Sequence, residues 1–288
     1  MGFFLGKKNP NISEYIARPL IRFGIPLSVM GLLLKEGIDL NLIKSAFLAF
    51  STIGFLIVLV NRFPIFKKRL PNYTLQLAGL IGNTSFLGIP IAIALLPTNI
   101  INFTIGFDLG TTLFAWIFGP MLLQREKYQS SSFTIKELTL SLFSSPASKG
   151  ILGALLAYLI SLDSFLGKVL WIPARIVIIL AIVVVGSRLG IITKSKNKIF
   201  KINNGIRNSI ILKLLIFPLL ILLTTMLINI EKVEILALVL QAGTPSAIST
   251  ILMAEAYKKQ RELAAKALFT TTIISTATIP LIFFIINY

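Results

Sequence analysis

An amide, two small hydroxyls, two glycines and a proline crowd into one apolar stretch, LIGNTSFLGIPIAIALL at residues 80–96. Gly82, Asn83, Thr84, Gly88 and Pro90 are residue types that interrupt a helix rather than carry it through lipid. An interrupted helix exposes backbone N–H and C=O groups that lipid cannot satisfy but a substrate or an ion can. A second break stands at Gly243, Thr244 and Pro245 in LQAGTPSAIST, with Gln241 just before it. Two interruptions crossing at mid-membrane would form a binding site. The positive end of a half-helix dipole there favours an anion, and the Asn83 amide can hydrogen-bond a carboxylate. Taken singly, each break also reads as a packing kink, because Gly and Pro are common in membrane helices.

Ionisable residues inside apolar runs are the other source of chemistry. Asp108 lies one turn before Thr111 and Thr112. Buried, it could carry a proton or pair with a cation beside Thr112; near the interface, it would be a hydrated carboxylate capped by threonines. Arg18, Arg22, Arg188, Glu255 and Lys266 fall near span ends and are expected to snorkel to the headgroups, as is Arg175 at the opposite face. Lys213 is deeper, but its long stem predicts the same behaviour. The hydroxyls of Thr270, Thr271, Thr272, Ser275, Thr276 and Thr278 crowd one span, where helix packing is their plainer role and help to a carboxylate or Na⁺ the alternative. The chain has neither cysteine nor histidine, which excludes disulfides, thiolate metal sites and imidazole relays. Its 11 acids are scattered singly, so a membrane enzyme with a carboxylate cluster is not expected, nor any catalytic residue, metal or cofactor.

These residues must be positioned by membrane helices. Of 288 residues 55% are hydrophobic and 14% charged, with a mean hydropathy of +0.87, too little polar surface for a soluble globule. Apolar runs of about 20 residues, enough to cross roughly 30 Å of hydrocarbon, recur along nearly the whole chain. Nine spans are predicted, at 15–34, 43–61, 72–96, 101–123, 147–163, 170–192, 207–229, 232–257 and 263–286. Lys and Arg in the connecting segments alternate between rich and poor, 19 against four, which puts the amino terminus in the cytoplasm and the carboxyl terminus outside. The first run has no small-residue cleavage site behind it and reads as a retained span. The net charge of +17 fits loops facing anionic lipid headgroups better than it fits nucleic acid.

The two halves of the chain correspond. GTTLFAWIFGP at 110–120 lies over TTTIISTATIP at 270–280, and one span earlier GNTS at 82–85 lies over GTPS at 243–246. Paired spans are five apart, the third with the eighth and the fourth with the ninth, so they run in opposite directions and the repeat is inverted, as in many secondary transporters.

The stretches IGNTSFLGIPI and LVLQAGTPSAISTILMAEAYKKQRELAAKALFTTTIISTATIPL resemble the two crossover regions of the auxin efflux carrier family, which includes PIN-type plant auxin carriers and bacterial malonate-transporter-like proteins. The resemblance runs from about Tyr15 to the carboxyl end. It implies an all-α membrane fold of ten helices in two inverted five-helix repeats, similar to sodium/proton antiporters, with two crossed broken helices. Here nine spans are predicted instead of ten, the family's first helix having no counterpart. It further implies scaffold helices at 15–34 and 147–192, and a transport part at 43–123 and 207–287 with crossovers near 82–90 and 243–245. Asn83 would meet the substrate carboxylate, Pro90 would follow the first crossover, and Gln241, Thr244 and Pro245 would line the second. The expected function is a secondary transporter exporting a small organic anion, auxin- or malonate-like, by alternating access in a prokaryotic plasma membrane. Its partners would be that anion, membrane lipid, H⁺ or Na⁺, and a second copy in a homodimer. A sodium-coupled symporter of the bile-acid or bicarbonate kind is the alternative on the same fold, and a membrane receptor or scaffold is the alternative outside transport.

Overall fold

The computed structural model describes residues 2–8, 15–16, 19–37, 39–97, 100–125, 146–194, 202–228 and 230–287, and these are almost entirely helical. Arg18 lies outside the described residues, as do the side chains of Arg188 and Glu255. The chain forms two compact units, Met1–Leu40 with Ile135–Phe200, and Asn41–Thr134 with Lys201–Tyr288.

In the first unit, Ile25–Glu36 packs on both Pro146–Leu159 and the 32-residue helix Asp163–Lys194. The Tyr158 hydroxyl donates to the Leu33 carbonyl at 3.3 Å. Lys35 and Arg175 both lie over the Trp171 ring, at 5.9 and 5.0 Å from its centroid. Arg175 is exposed, with its guanidinium on the Trp171 ring face. The expected span at 147–163 ends earlier, at Leu159, because the chain turns through Ser161 at φ 55° before the next helix begins at Asp163.

Among the described residues of the second unit, four helices are long and apolar enough to cross a membrane: Leu40–Arg62, Ile101–Gln124, Asn204–Met226 and Arg261–Asn287. The spans expected at 72–96 and 232–257 are each broken in two. The first consists of Tyr73–Leu80 and, after the break, a π-helical turn Thr84–Gly88 running into Ile89–Leu95; the second consists of Lys232–Ala242 and Ile248–Ala256. A capping box starts Lys232–Ala242, the Glu234 carboxylate accepting from the Glu231 N–H at 2.9 Å.

Among the described residues, three π-helical turns each end two residues before a proline: Leu20–Gly24 before Pro26, Thr84–Gly88 before Pro90, and Leu212–Ile216 before Pro218. Proline lacks the N–H that would bond the carbonyl four residues back, and its ring collides with that carbonyl. A wide turn relieves the collision and shifts the helix face by about one residue.

The Ile101–Arg125 helix lies against Leu40–Arg62 at backbone contact. A Cβ on Gly106 would stand 2.2 Å from the Leu42 carbonyl oxygen, and one on Gly110 would stand 2.0 Å from that of Ala46. This is the small-residue approach by which membrane helices pack without a hydrophobic drive between them. Phe107 and Phe217, both fully buried, meet at 6.2 Å between ring centroids and close the core beside the breaks.

Candidate functional site

The two breaks join. Gly82 and Ser246 form an antiparallel bridge, in which the Asn83 N–H donates to the Pro245 carbonyl at 2.7 Å and the Ala247 N–H donates to the Ile81 carbonyl at 2.9 Å. Each broken helix thus supplies part of what the other lost, which meets the requirement that backbone polar groups in an apolar core be paired. Ser246, fully buried, completes the joint: its hydroxyl donates to the Ala78 carbonyl at 2.5 Å, and its N–H donates to the Thr271 hydroxyl oxygen at 3.1 Å. Thr271 is therefore the one described member of the hydroxyl run seen bonding across to a crossover. The hydroxyls of Thr272, Ser275 and Thr276 bond carbonyls of their own helix.

Of the predicted residues, Gly82, Asn83, Gln241, Thr244 and Pro245 come together at the joint. Asn83 is 4% exposed. Its carbonyl accepts from the N–H groups of Leu87 and Gly88, so Asn83 opens the second half-helix. Thr244 is buried, its hydroxyl donating to the Gln241 carbonyl at 2.7 Å, and a Cβ on Gly82 would fall 2.5 Å from that hydroxyl oxygen. Only glycine fits at 82. Pro90 stands apart from the bridge, at the first turn of Ile89–Leu95, where it shapes the preceding wide turn.

Gln241 is 1% exposed, and neither its amide nitrogen nor its amide oxygen has a hydrogen-bond partner. It lies against Gly88, where a Cβ would fall 2.1 Å from its amide oxygen. The second half-helix can approach Gln241 because position 88 has no side chain.

Asp108 is 5% exposed and sits at the start of the half-helix that follows the first break. It accepts from the hydroxyls of Thr84 at 2.5 Å and Ser85 at 2.6 Å, and from Thr112. Burial removes the hydrated part of the alternative reading of Asp108, and its capping by threonines is present in Thr84 and Thr112. Its carboxyl group faces the positive end of a helix dipole. Among the described residues no cluster of three acids, histidines or cysteines could hold a metal ion.

Lys213 corrects the sequence reading. It is 0% exposed and does not reach the headgroups; its ammonium donates to the Ala242 carbonyl at 2.5 Å and lies 4.8 Å from the Phe217 ring centroid. A Cβ on Gly82 would fall 3.1 Å from its Nζ, so the charge lies at the crossover itself. Position 213 lies inside the π-helical turn Leu212–Ile216 that Pro218 enforces, and that wide turn alters the face an unbroken α-helix would have given it. The signal available in sequence was the proline five residues on.

Ser85 and Ser246 were also not foreseen as site residues. Lys266, expected to snorkel, forms an ion pair with Glu262 at 3.0 Å one turn away.

A cavity of about 590 Å³ opens at one end of the same unit, lined among others by Lys68, Arg69, Asn72, Asn203, Arg207 and Asn208. Arg207 precedes Lys213 by six residues on one helical run, about 9 Å at 1.5 Å per residue.

A family model described as membrane transport protein matches residues 31–283. Comparison with curated proteins gives no significant match.

Proposed function

Because the chain belongs to the membrane transport protein family, that of the auxin efflux carriers, we propose that it exports a small organic anion by alternating access. The observation that carries this reading is the joint of two broken helices at Gly82 and Ser246, with the polar side chains of Asn83, Thr244 and Gln241 buried around it. The side-chain amides of Asn83 and Gln241, held in a dry core, suit a carboxylate.

In this reading residues 43–123 and 207–287 are the transport part, two inverted repeats crossing at the breaks, and 15–34 with 147–192 are the scaffold against which it moves. The loops rich in Lys and Arg face the cytoplasm, the amino terminus with them. The cavity lined by Lys68, Arg69 and Arg207 then opens on the cytoplasmic side, where three cations raise the local concentration of anions ahead of the crossover. That placement favours export.

The test is solid-supported-membrane electrophysiology on reconstituted protein, screening mono- and dicarboxylates in Na⁺-free buffer beside Asn83→Ala. A carboxylate-dependent current that falls at least tenfold in Asn83→Ala is expected. A current that appears only with Na⁺ would replace this reading with the symporter, and silence across the panel in the wild type would remove it.

A further inference from the structure

We infer that Lys213 is the counter-charge for the transported anion, the fixed cation that makes the crossover select a carboxylate over its uncharged analogue. The inference rests on the anion-carrier reading above and deepens it.

An ammonium carries three N–H donors. Lys213 uses one on the Ala242 carbonyl, its other close neighbours being the Phe217 ring and the backbone of Gly82, and no carboxylate pairs with it among the described residues. The Ala242 carbonyl ends the half-helix Lys232–Ala242, whose dipole offers about half a negative charge. That leaves roughly half a positive charge uncompensated in a site sealed from water. Among the described residues the one buried acid, Asp108, is committed to Thr84 and Ser85 at the start of a different half-helix and to Thr112. Each buried charge therefore caps one half-helix end, and the cation has donors to spare.

Two further features point to a ligand at this place. Gln241, one residue before Ala242, keeps both polar atoms unpartnered at 1% exposure. Gly82 brings bare backbone to the ammonium, since a Cβ there would fall 3.1 Å from Nζ and 2.5 Å from the Thr244 hydroxyl oxygen. A carboxylate there would accept from Lys213 and from the amides of Gln241 and Asn83, with its charge balanced inside the protein.

The structural alternative is that Lys213 merely caps Ala242. Lys213→Gln separates the two roles, because a glutamine amide still donates to that carbonyl but carries no charge. The probes are malonate, benzoate and indole-3-acetate against their amides, read by competition for transport current and by ligand-induced shifts in melting temperature of purified protein. The wild type is expected to prefer the best acid over its amide by at least tenfold. Lys213→Gln should lose that preference while keeping its own melting temperature within a few degrees, and Lys213→Arg should retain most of it. A Lys213→Gln protein that keeps the acid preference overturns this inference and leaves the anion carrier standing. Should Lys213→Gln not fold, the wild type alone decides: equal responses to acid and amide overturn the inference, and a strong acid preference shared by Lys213→Arg supports it. A wild type silent to every acid removes the carrier reading and this inference together.

Discussion

Burying an amide with neither nitrogen nor oxygen paired costs about 1–3 kcal/mol relative to an apolar side chain of similar shape. Gln241 is held in that state against Gly88. If the amide is kept for the substrate, its removal should stabilise the fold and harm the function. Gln241→Met is therefore expected to raise stability by about 1–3 kcal/mol, seen as a higher melting temperature, while lowering apparent affinity for the transported acid about tenfold or more. A destabilised protein would mean that the amide serves packing, and an unchanged affinity would take Gln241 out of the site. Asn83 was singled out by type, a polar amide inside an apolar run, and Gln241 through the resemblance of its stretch to a family crossover; both are buried at the breaks. Lys213 was not placed with them, because a lysine's reach to the headgroups is judged on a regular helix, and the wide turn before Pro218 is a departure from one.

At the scale of elements, the breaks were legible because Gly and Pro act locally on the chain that contains them. Which helix lies against which is not a local property. Gly106 and Gly110 sit one turn apart in Ile101–Arg125, but only the fold reveals that the Leu42 and Ala46 carbonyls of Leu40–Arg62 occupy the space their side chains would need. This contact positions Asp108, which lies between the two glycines on the same helix. Gly110→Ala places a Cβ 2.0 Å from the Ala46 carbonyl oxygen and must push two helices apart. It is expected to cost about 1–3 kcal/mol, the usual penalty of overpacking. Gly54→Ala is the control, its Cβ meeting the Phe114 ring at an ordinary 3.4 Å. That change should be neutral or stabilising by up to about 1 kcal/mol through helix propensity. Melting curves of the two variants in the same detergent check both; a Gly110→Ala protein as stable as Gly54→Ala would show that the helix contact is looser than described.

At the scale of the whole molecule, composition and the alternation of Lys and Arg between loops fixed the solvent and the orientation expected, because both are sums over many residues and tolerate local error. The same sums bear on energetics. Lys213 and Asp108 are part of the carrier, so whatever charge they add when the loaded site faces one side is returned when the empty site turns back. The charge moved per turnover is then that of the anion alone, plus that of any ion that travels with it. A monoanion leaving a negative interior gains about 2.3 kcal/mol per 100 mV, which at about 1.4 kcal/mol per factor of ten is an equilibrium ratio near 50. Proteoliposomes clamped at 100 mV with a potassium gradient and valinomycin, without Na⁺ or a pH gradient, should concentrate a transported monocarboxylate about 50-fold on the positive side. A dicarboxylate should respond to voltage twice as steeply on a logarithmic scale. Distribution that ignores the potential and follows an imposed pH gradient would show a proton moving with each anion, and Asp108→Asn would then be the variant expected to restore the response to voltage.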